Sequence, residues 1–221
     1  YSNKGHLFCC VAGKYRYLYP DVKKQIMIDM AILPSTLTFL TTYKCTAACP
    51  ECCFKCTPYN SSPVIDRKDL FAITDQALNS FNSLRLVVFS GGECFLLGKL
   101  LYETIAYASG KNLFTRCVTN GYWGKSRNNA RKIANIIYES GLKEINFSTG
   151  DDHQQFVPIQ SIINSAIECA LKDITTLIVV EGHTKSHFKL EDLIENEEIS
   201  DFSKNNTKAI NLKIIQNIVI S

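Results

Sequence analysis

The chain has 221 residues, 46% hydrophobic and 20% charged, with a net charge of +3. That is apolar material for one large core or two small ones, and too little net charge to argue for a nucleic-acid or membrane surface. No run of about 18 apolar residues is present to span a bilayer, and no basic start followed by an apolar middle marks a secretory leader.

Residues 1–35 read as an N-terminal extension. Tyr15-Arg-Tyr-Leu-Tyr19 is aromatic and alternating, and Asp21–Leu33 fits a short helix or a strand before Pro34-Ser35 punctuates it. Cys9-Cys10 lies in an apolar context and reads as a packed pair. The start at Tyr1 and the apolar, strand-like end Asn211–Ser221 fit a piece of a longer chain.

From residue 36 a pattern begins and repeats. Leu37–Tyr43 is rich in β-branched and aromatic residues and predicts the first strand. A cysteine-rich loop follows, then a polar stretch with Pro58, Ser61, Ser62 and Pro63. Asp66 predicts an N-cap, with Asp69 three residues on, and Leu70, Ile73, Ala77 and Phe81 recur at helical spacing. Leu84–Phe89 is the second strand and runs into Ser90-Gly-Gly-Glu93. Leu96–Ser109 is a helix closed by Gly110 as its C′ glycine. Leu113–Val118 is the third strand, ending in Thr119-Asn-Gly121. Ser126 caps a helix that Gly141 ends, Glu144–Ser148 is the fourth strand, and Pro158–Lys172 the fourth helix. Thr175–Val180, Leu190–Ile199 and Asn211–Ile220 supply a strand, a helix carrying the acidic run Glu191–Glu198, and a sixth strand.

Strand and helix thus alternate as βαβ units, which implies a parallel sheet. Nearly continuous apolar strands suggest cover on both faces. Six units are too few for an eight-stranded barrel, which leaves an open doubly wound sheet or a partial barrel over residues 36–221. Either places ligands at the carboxyl ends of the strands. The unusual residues lie there: the cysteine loop, GGE, TNG, STGDDH and Glu181-Gly182-His183.

Ten cysteines is a high count, and four fall between Cys45 and Cys53, with Cys56 just beyond. In a chain that can build a core, such a bunch reads as metal chemistry in a reducing, cytoplasmic setting rather than as a secreted disulfide framework. Thiolates suit iron–sulfur clusters or zinc. Cys45, Cys49 and Cys52 are spaced C-x3-C-x2-C. Three cysteines would hold three irons of a [4Fe–4S] cluster and leave the fourth open, whereas Cys53 or Cys56 as a fourth ligand would complete a zinc site. A second metal site using Cys53, Cys56, Cys9 or Cys10 also stays open. Cys117 and Cys169 fall inside a strand and a helix and read as core. His153 and His183 read as loop histidines.

Cys45-x3-Cys49-x2-Cys52 after the first strand, with Gly91-Gly92-Glu93 after the second, resembles the radical S-adenosylmethionine (radical SAM) superfamily. The resemblance implies a partial (β/α)6 TIM-like barrel of parallel strands. It implies a [4Fe–4S] cluster on the three cysteines and S-adenosylmethionine on the open iron. Reductive cleavage to a 5′-deoxyadenosyl radical, and hydrogen abstraction from a substrate, would follow. Glu93 would meet the ligand ammonium, with Gly91 and Gly92 allowing close approach. Thr119 and Asn120 would lie near the nucleoside, and Ser148 and Asp151 near the ribose or the ligand carboxylate. The family often has an aromatic residue before the third cysteine. Here that position is Glu51, and Phe54 is the nearest aromatic for the adenine. Cys94 stands where proline commonly follows GGE, so its thiol is a candidate hydrogen donor beside a packed-core reading. The loop style is nearest to members that modify peptides or proteins, with flavodoxin or ferredoxin as electron donor. A glycyl-radical-enzyme activase and a non-catalytic zinc module are the alternatives.

Overall fold

In four of the six sheet strands, alternate side chains are buried. Ile145, Phe147 and Thr149, like Thr176, Ile178 and Val180 two strand positions apart on the neighbouring strand, are fully buried, while the residues between them are half-exposed. Period-two burial of this kind belongs to a sheet covered on one face. The computed structural model describes residues 9–11, 14–16, 34–61, 64–182 and 185–218. It contains a short antiparallel pair, β1 (Cys9–Val11) and β2 (Lys14–Arg16), and a six-stranded parallel sheet. The sheet strands are β3 (Thr36–Leu40), β4 (Leu86–Ser90), β5 (Phe114–Thr119), β6 (Glu144–Thr149), β7 (Thr175–Gly182) and β8 (Leu212–Ile218). They lie side by side in sequence order, each parallel to the next.

A doubly wound sheet reverses its order at a switch point, and this one does not. Right-handed crossovers running in one direction put the helices on one face. The structure is therefore the partial (β/α)6 barrel, open between β3 and β8. This corrects the expectation of cover on both faces. Except in β4, where Val87, Val88 and Phe89 are all buried, the apolar runs read as doubly buried strands alternate in burial; Leu177 and Val179 lie on the half-open concave face.

The helices are α1 (Arg67–Ser80), α2 (Lys99–Gly110), α3 (Arg127–Glu139), the one-turn α4 (Asp151–Gln154), α5 (Ile159–Leu171), α6 (Leu190–Ile194) and α7 (Glu197–Asn205). Asp66 and Ser126 cap α1 and α3, accepting the backbone N–H of Asp69 at 2.8 Å and of Asn129 at 3.3 Å. Three boundaries differ from expectation. The helix read from Leu96 begins instead as a tight turn, Cys94–Leu97, and α2 starts after Gly98. Gly110 is the last residue of α2, and Asn112 takes the left-handed conformation at φ 60° that a C′ glycine was expected to supply. The helix read over Leu190–Ile199 is broken by Asn196, whose side chain accepts from Glu198 and Ile199 N–H and starts α7 afresh. The expectations for Asp21–Leu33 and for His183 lie outside the described residues, and Cys9 and Cys10 are described only in their backbone.

The core fills the space between sheet and helices, with Phe89, Cys117, Phe147, Ile162 and Ile178 all at 0% exposure. Cys117 and Cys169 belong to it, as read. Helix α5 presses on the turn after β5: a Cβ on Gly124 would lie 1.9 Å from the Ser161 carbonyl oxygen and 2.1 Å from Ser165 Oγ. Asn164 Nδ2 donates to the Gly124 carbonyl at 2.9 Å across the same contact. Gly124→Ala is expected to force α5 outward and cost roughly 1–3 kcal/mol or more. A fall in the urea midpoint at unchanged m reads this directly; an unchanged midpoint contradicts it.

Candidate functional site

The predicted site residues come from the carboxyl ends of β3 to β6. Strand β3 ends at Leu40, three residues earlier than expected. Buried Thr41 and Thr42 then carry the chain to the cysteine loop, and Thr41 N–H donates to the Ser90 carbonyl at 2.9 Å. The loop closes on itself. Cys45 N–H donates to the Thr57 carbonyl at 3.1 Å, and Asn60 Nδ2 to the Tyr43 carbonyl at 2.9 Å. Cys45, Cys49, Cys52 and Cys56 pack together with Tyr43 and Ala47 as one small cluster, while Cys53 is exposed. Backbone N–H groups already face two of the sulfurs: Ala47 N to Cys45 Sγ and Cys56 N to Cys52 Sγ, both 3.4 Å. Cys49 Sγ lies 3.8 Å from the Asp152 carbonyl at the head of α4.

Burial pushes the Cys45 thiol up, and it takes Cys49 and Cys56 to about 12, with the neighbouring thiols adding to each. These groups are neutral thiols at pH 7, and a metal that binds them as thiolates must displace their protons. Among the described residues no three His, Cys, Asp or Glu side chains are already arranged about one metal position. The donor set nonetheless fits a soft metal or a cluster: it is all sulfur, gathered from one loop, and supplied with N–H donors of the kind that surround bound thiolates.

The GGE segment is docked under this loop. Gly92 N–H donates to the Thr42 carbonyl at 2.6 Å and Glu93 N–H to the Lys44 carbonyl at 3.0 Å. A Cβ on Gly92 would sit 2.2 Å from the Lys44 carbonyl oxygen, and one on Gly91 (φ 126°) 2.6 Å from that of Thr42. The close approach expected of a ligand is made here by the chain's own backbone. Glu93 is also held by the chain itself. Its carboxylate is 0% exposed and accepts from Phe95 N–H (3.0 Å), Thr119 Oγ1 (2.8 Å) and Asn120 N–H (2.9 Å). Burial raises its pKa to about 7 against the pull of these donors.

Thr119 and Asn120 are thus tied to Glu93, and Asn120 Nδ2 reaches Thr46 Oγ1 at 2.9 Å and Cys45 Sγ at 3.6 Å. The ends of β3, β4 and β5 form one hydrogen-bonded group. The other predicted residues stand around it. Ser148 is half-exposed on the concave face, in register with Val179. Asp151 accepts from His187 and Phe188 N–H at 2.7 and 2.8 Å, which fastens the segment after β7. Phe54 is exposed on the loop. Cys94 is fully buried, its Sγ 3.3 Å from the Val118 carbonyl.

One participant was not singled out in the sequence, and two that were named there, His153 and Glu181, were not read as a pair. Thr46 has no motif of its own and is found only through Asn120. His153 Nδ1 lies 3.4 Å from Glu181 Oε2, an ion pair when the imidazole is protonated. Burial raises the Glu181 pKa, His153 pulls it down, and Glu51 and Asp152 raise it further, so three carboxylates gather beside the cysteine loop. The signal for the His153–Glu181 pair was that both stand at neighbouring strand ends.

No protein-family model matches the chain. It is 26% identical over 121 residues to the "Putative peptide biosynthesis protein YydG" of Bacillus subtilis (strain 168), a match covering 55% of this chain and 37% of that protein. The structure of native anSMEcpe with bound AdoMet superposes with a TM-score of 0.53 at 18% identity, covering 82% of this chain and 51% of that one. TYW1 with a lysine-pyruvate adduct bound gives a TM-score of 0.49 at 13% identity, covering 85% and 67%. The chain therefore spans about a third of the length of the curated relative and half that of the first solved structure. Together with the strand order, the likeness to anSMEcpe gives the chain a partial TIM-like barrel fold.

Proposed function

We propose that the chain is the core of a radical SAM enzyme that binds a [4Fe–4S] cluster on Cys45, Cys49 and Cys52, and S-adenosylmethionine beside it. The observation that carries this reading is the convergence of three cysteines of the C-x3-C-x2-C loop with Gly91-Gly92-Glu93 docked directly beneath them. Held by Cys45, Cys49 and Cys52, the cluster would supply the electron for reductive cleavage of S-adenosylmethionine and so the radical chemistry of hydrogen abstraction. The protein's part is to hold and to shield. Burial of Cys45 and the apolar contacts of Tyr43 and Ala47 keep water from one side of the sulfurs. The fixed backbone at Thr42–Lys44 sets the loop's angle to the barrel.

A peptide or protein substrate fits the shape. The sheet is open between β3 and β8, and its concave face carries half-exposed side chains such as Leu177, Val179 and Ser148. Phe54, Tyr59 and Phe156, on the loops at the carboxyl end of the barrel, are exposed apolar contacts. The name of the Bacillus relative points the same way by analogy. A small flavodoxin or ferredoxin would deliver the electron.

Cys56 favours a second reading. It is 2% exposed and sits in the same cluster as the other three thiols, so it could complete a four-cysteine zinc site. Anaerobic reconstitution separates the two. Bound iron and sulfide with a brown chromophore is the expected result; a colourless protein with one zinc per chain contradicts it.

A further inference from the structure

Two buried polar groups at the site are committed to the chain itself. Both Glu93 carboxylate oxygens accept hydrogen bonds from the starts of the turns after β4 and β5. One of those donors is the Asn120 backbone N–H. The Asn120 side chain is fixed as well: its Oδ1 accepts Tyr122 N–H at 3.1 Å, so its amide cannot turn over without losing that bond. Nδ2 is left pointing at the cysteine loop, 2.9 Å from Thr46 Oγ1 and 3.6 Å from Cys45 Sγ. Asn120 is 6% exposed, so water does not compete for the contact.

We propose that Asn120 is a positioning residue for the metal centre, with Glu93 as its brace. Its amide orients Cys45 Sγ and donates an N–H···S bond to it, and this bond sets the electron affinity of the cluster. The brace runs Glu93–Asn120–Cys45 across three strand ends. Glu93 serves the site by holding Asn120. The inference rests on the three-cysteine reading above. Its physical basis is that reduction adds negative charge to the cluster and its sulfurs. A donor aimed at a ligating sulfur then stabilises the reduced form more than the oxidised form and raises the potential.

The test uses the full chain, reconstituted anaerobically, with Asn120→Leu and Asn120→Asp beside the wild type. Leucine keeps the volume and removes the donor. Aspartate keeps the shape and the Tyr122 contact but places an acceptor at Cys45. Iron and sulfide per chain establish loading, and a mediator titration followed by electron paramagnetic resonance reads the midpoint potential. Both variants are expected to load as the wild type does and to shift to more negative potential, further for Asn120→Asp. At a fixed solution potential the reduced-to-oxidised ratio should fall by up to about tenfold, which is 59 mV for one electron. Fully loaded variants with the wild-type midpoint overturn the proposal alone. A wild-type chain that takes up no iron overturns the three-cysteine reading and this inference with it. The potential is the decisive readout, because a residue that merely fills space would leave its sign unrelated to the donor.

Discussion

Cys49→Ala is expected to fold and to be colourless after reconstitution, with iron uptake and 5′-deoxyadenosine formation both lost. Cys49 is half-buried, and its sulfur has one weak polar contact, with the Asp152 carbonyl. Removing it costs the metal-free fold little, on the order of 1 kcal/mol. It costs the metal site a third of its protein ligands. Activity should fall by at least about 10³-fold, a loss of more than roughly 4 kcal/mol at the transition state. Cys53→Ala is the control. Cys53 is the exposed cysteine of the loop, and its loss should leave iron content unchanged. Cys56→Ala separates the readings, because only the four-cysteine zinc site needs it. Iron content retained in Cys56→Ala and lost in Cys49→Ala is the expected pattern; equal losses contradict it.

Glu93 carries the second large effect. Its folded pKa, raised by burial to about 7, stands above its ordinary 4.5. Between those values the folded chain holds a proton that the unfolded chain has released. Stability from this group is therefore full below about pH 4.5 and is lost as pH rises through about 7. The loss is on the order of 3 kcal/mol. The Cys45, Cys49 and Cys56 thiols, pushed up by burial, stay protonated throughout this range. Glu93→Gln should flatten this part of the stability profile of the metal-free chain, so the difference between the two proteins narrows toward neutral pH. Glu93→Ala is worse at every pH, because the Phe95 and Asn120 N–H groups and the Thr119 hydroxyl lose their acceptor. Each buried donor left unpaired costs about 1–3 kcal/mol. Urea titrations at pH 5 and pH 7 test both statements, and parallel profiles for wild type and Glu93→Gln contradict the first.

Much of the barrel was legible because its signals are local. Asp66 and Ser126 announce helix starts through side chains that reach only three residues, and Gly141 ends α3 at φ 91°. The cysteine spacing and the glycine pair are equally local. What was not legible depends on neighbours far apart in the chain. Glu93 looks like a free carboxylate at a loop, and only the parallel pairing of β4 with β5 puts Thr119 and Asn120 against it. Cys94 looks like a group beside a ligand until that pairing buries it against the Val118 carbonyl. Asn196 shows the opposite failure. It sits in the acidic stretch Leu190–Ile199 that reads as one helix, yet its side chain competes for backbone N–H groups and starts a second.

The sequence said little of the hairpin β1–β2 or of the concave face. Concavity follows from strand order, since an edge at β3 and another at β8 leave a gap that no single motif encodes. That gap is the feature in which a peptide reading differs most from a closed small-molecule pocket.

The most direct measurement is the formation of 5′-deoxyadenosine by the anaerobically reconstituted wild-type chain given dithionite and S-adenosylmethionine. The proposed function predicts reductive cleavage, with 5′-deoxyadenosine and methionine appearing in equal amounts and neither formed by Cys49→Ala. A chain loaded with four irons and sulfides that forms no 5′-deoxyadenosine would contradict the proposed function.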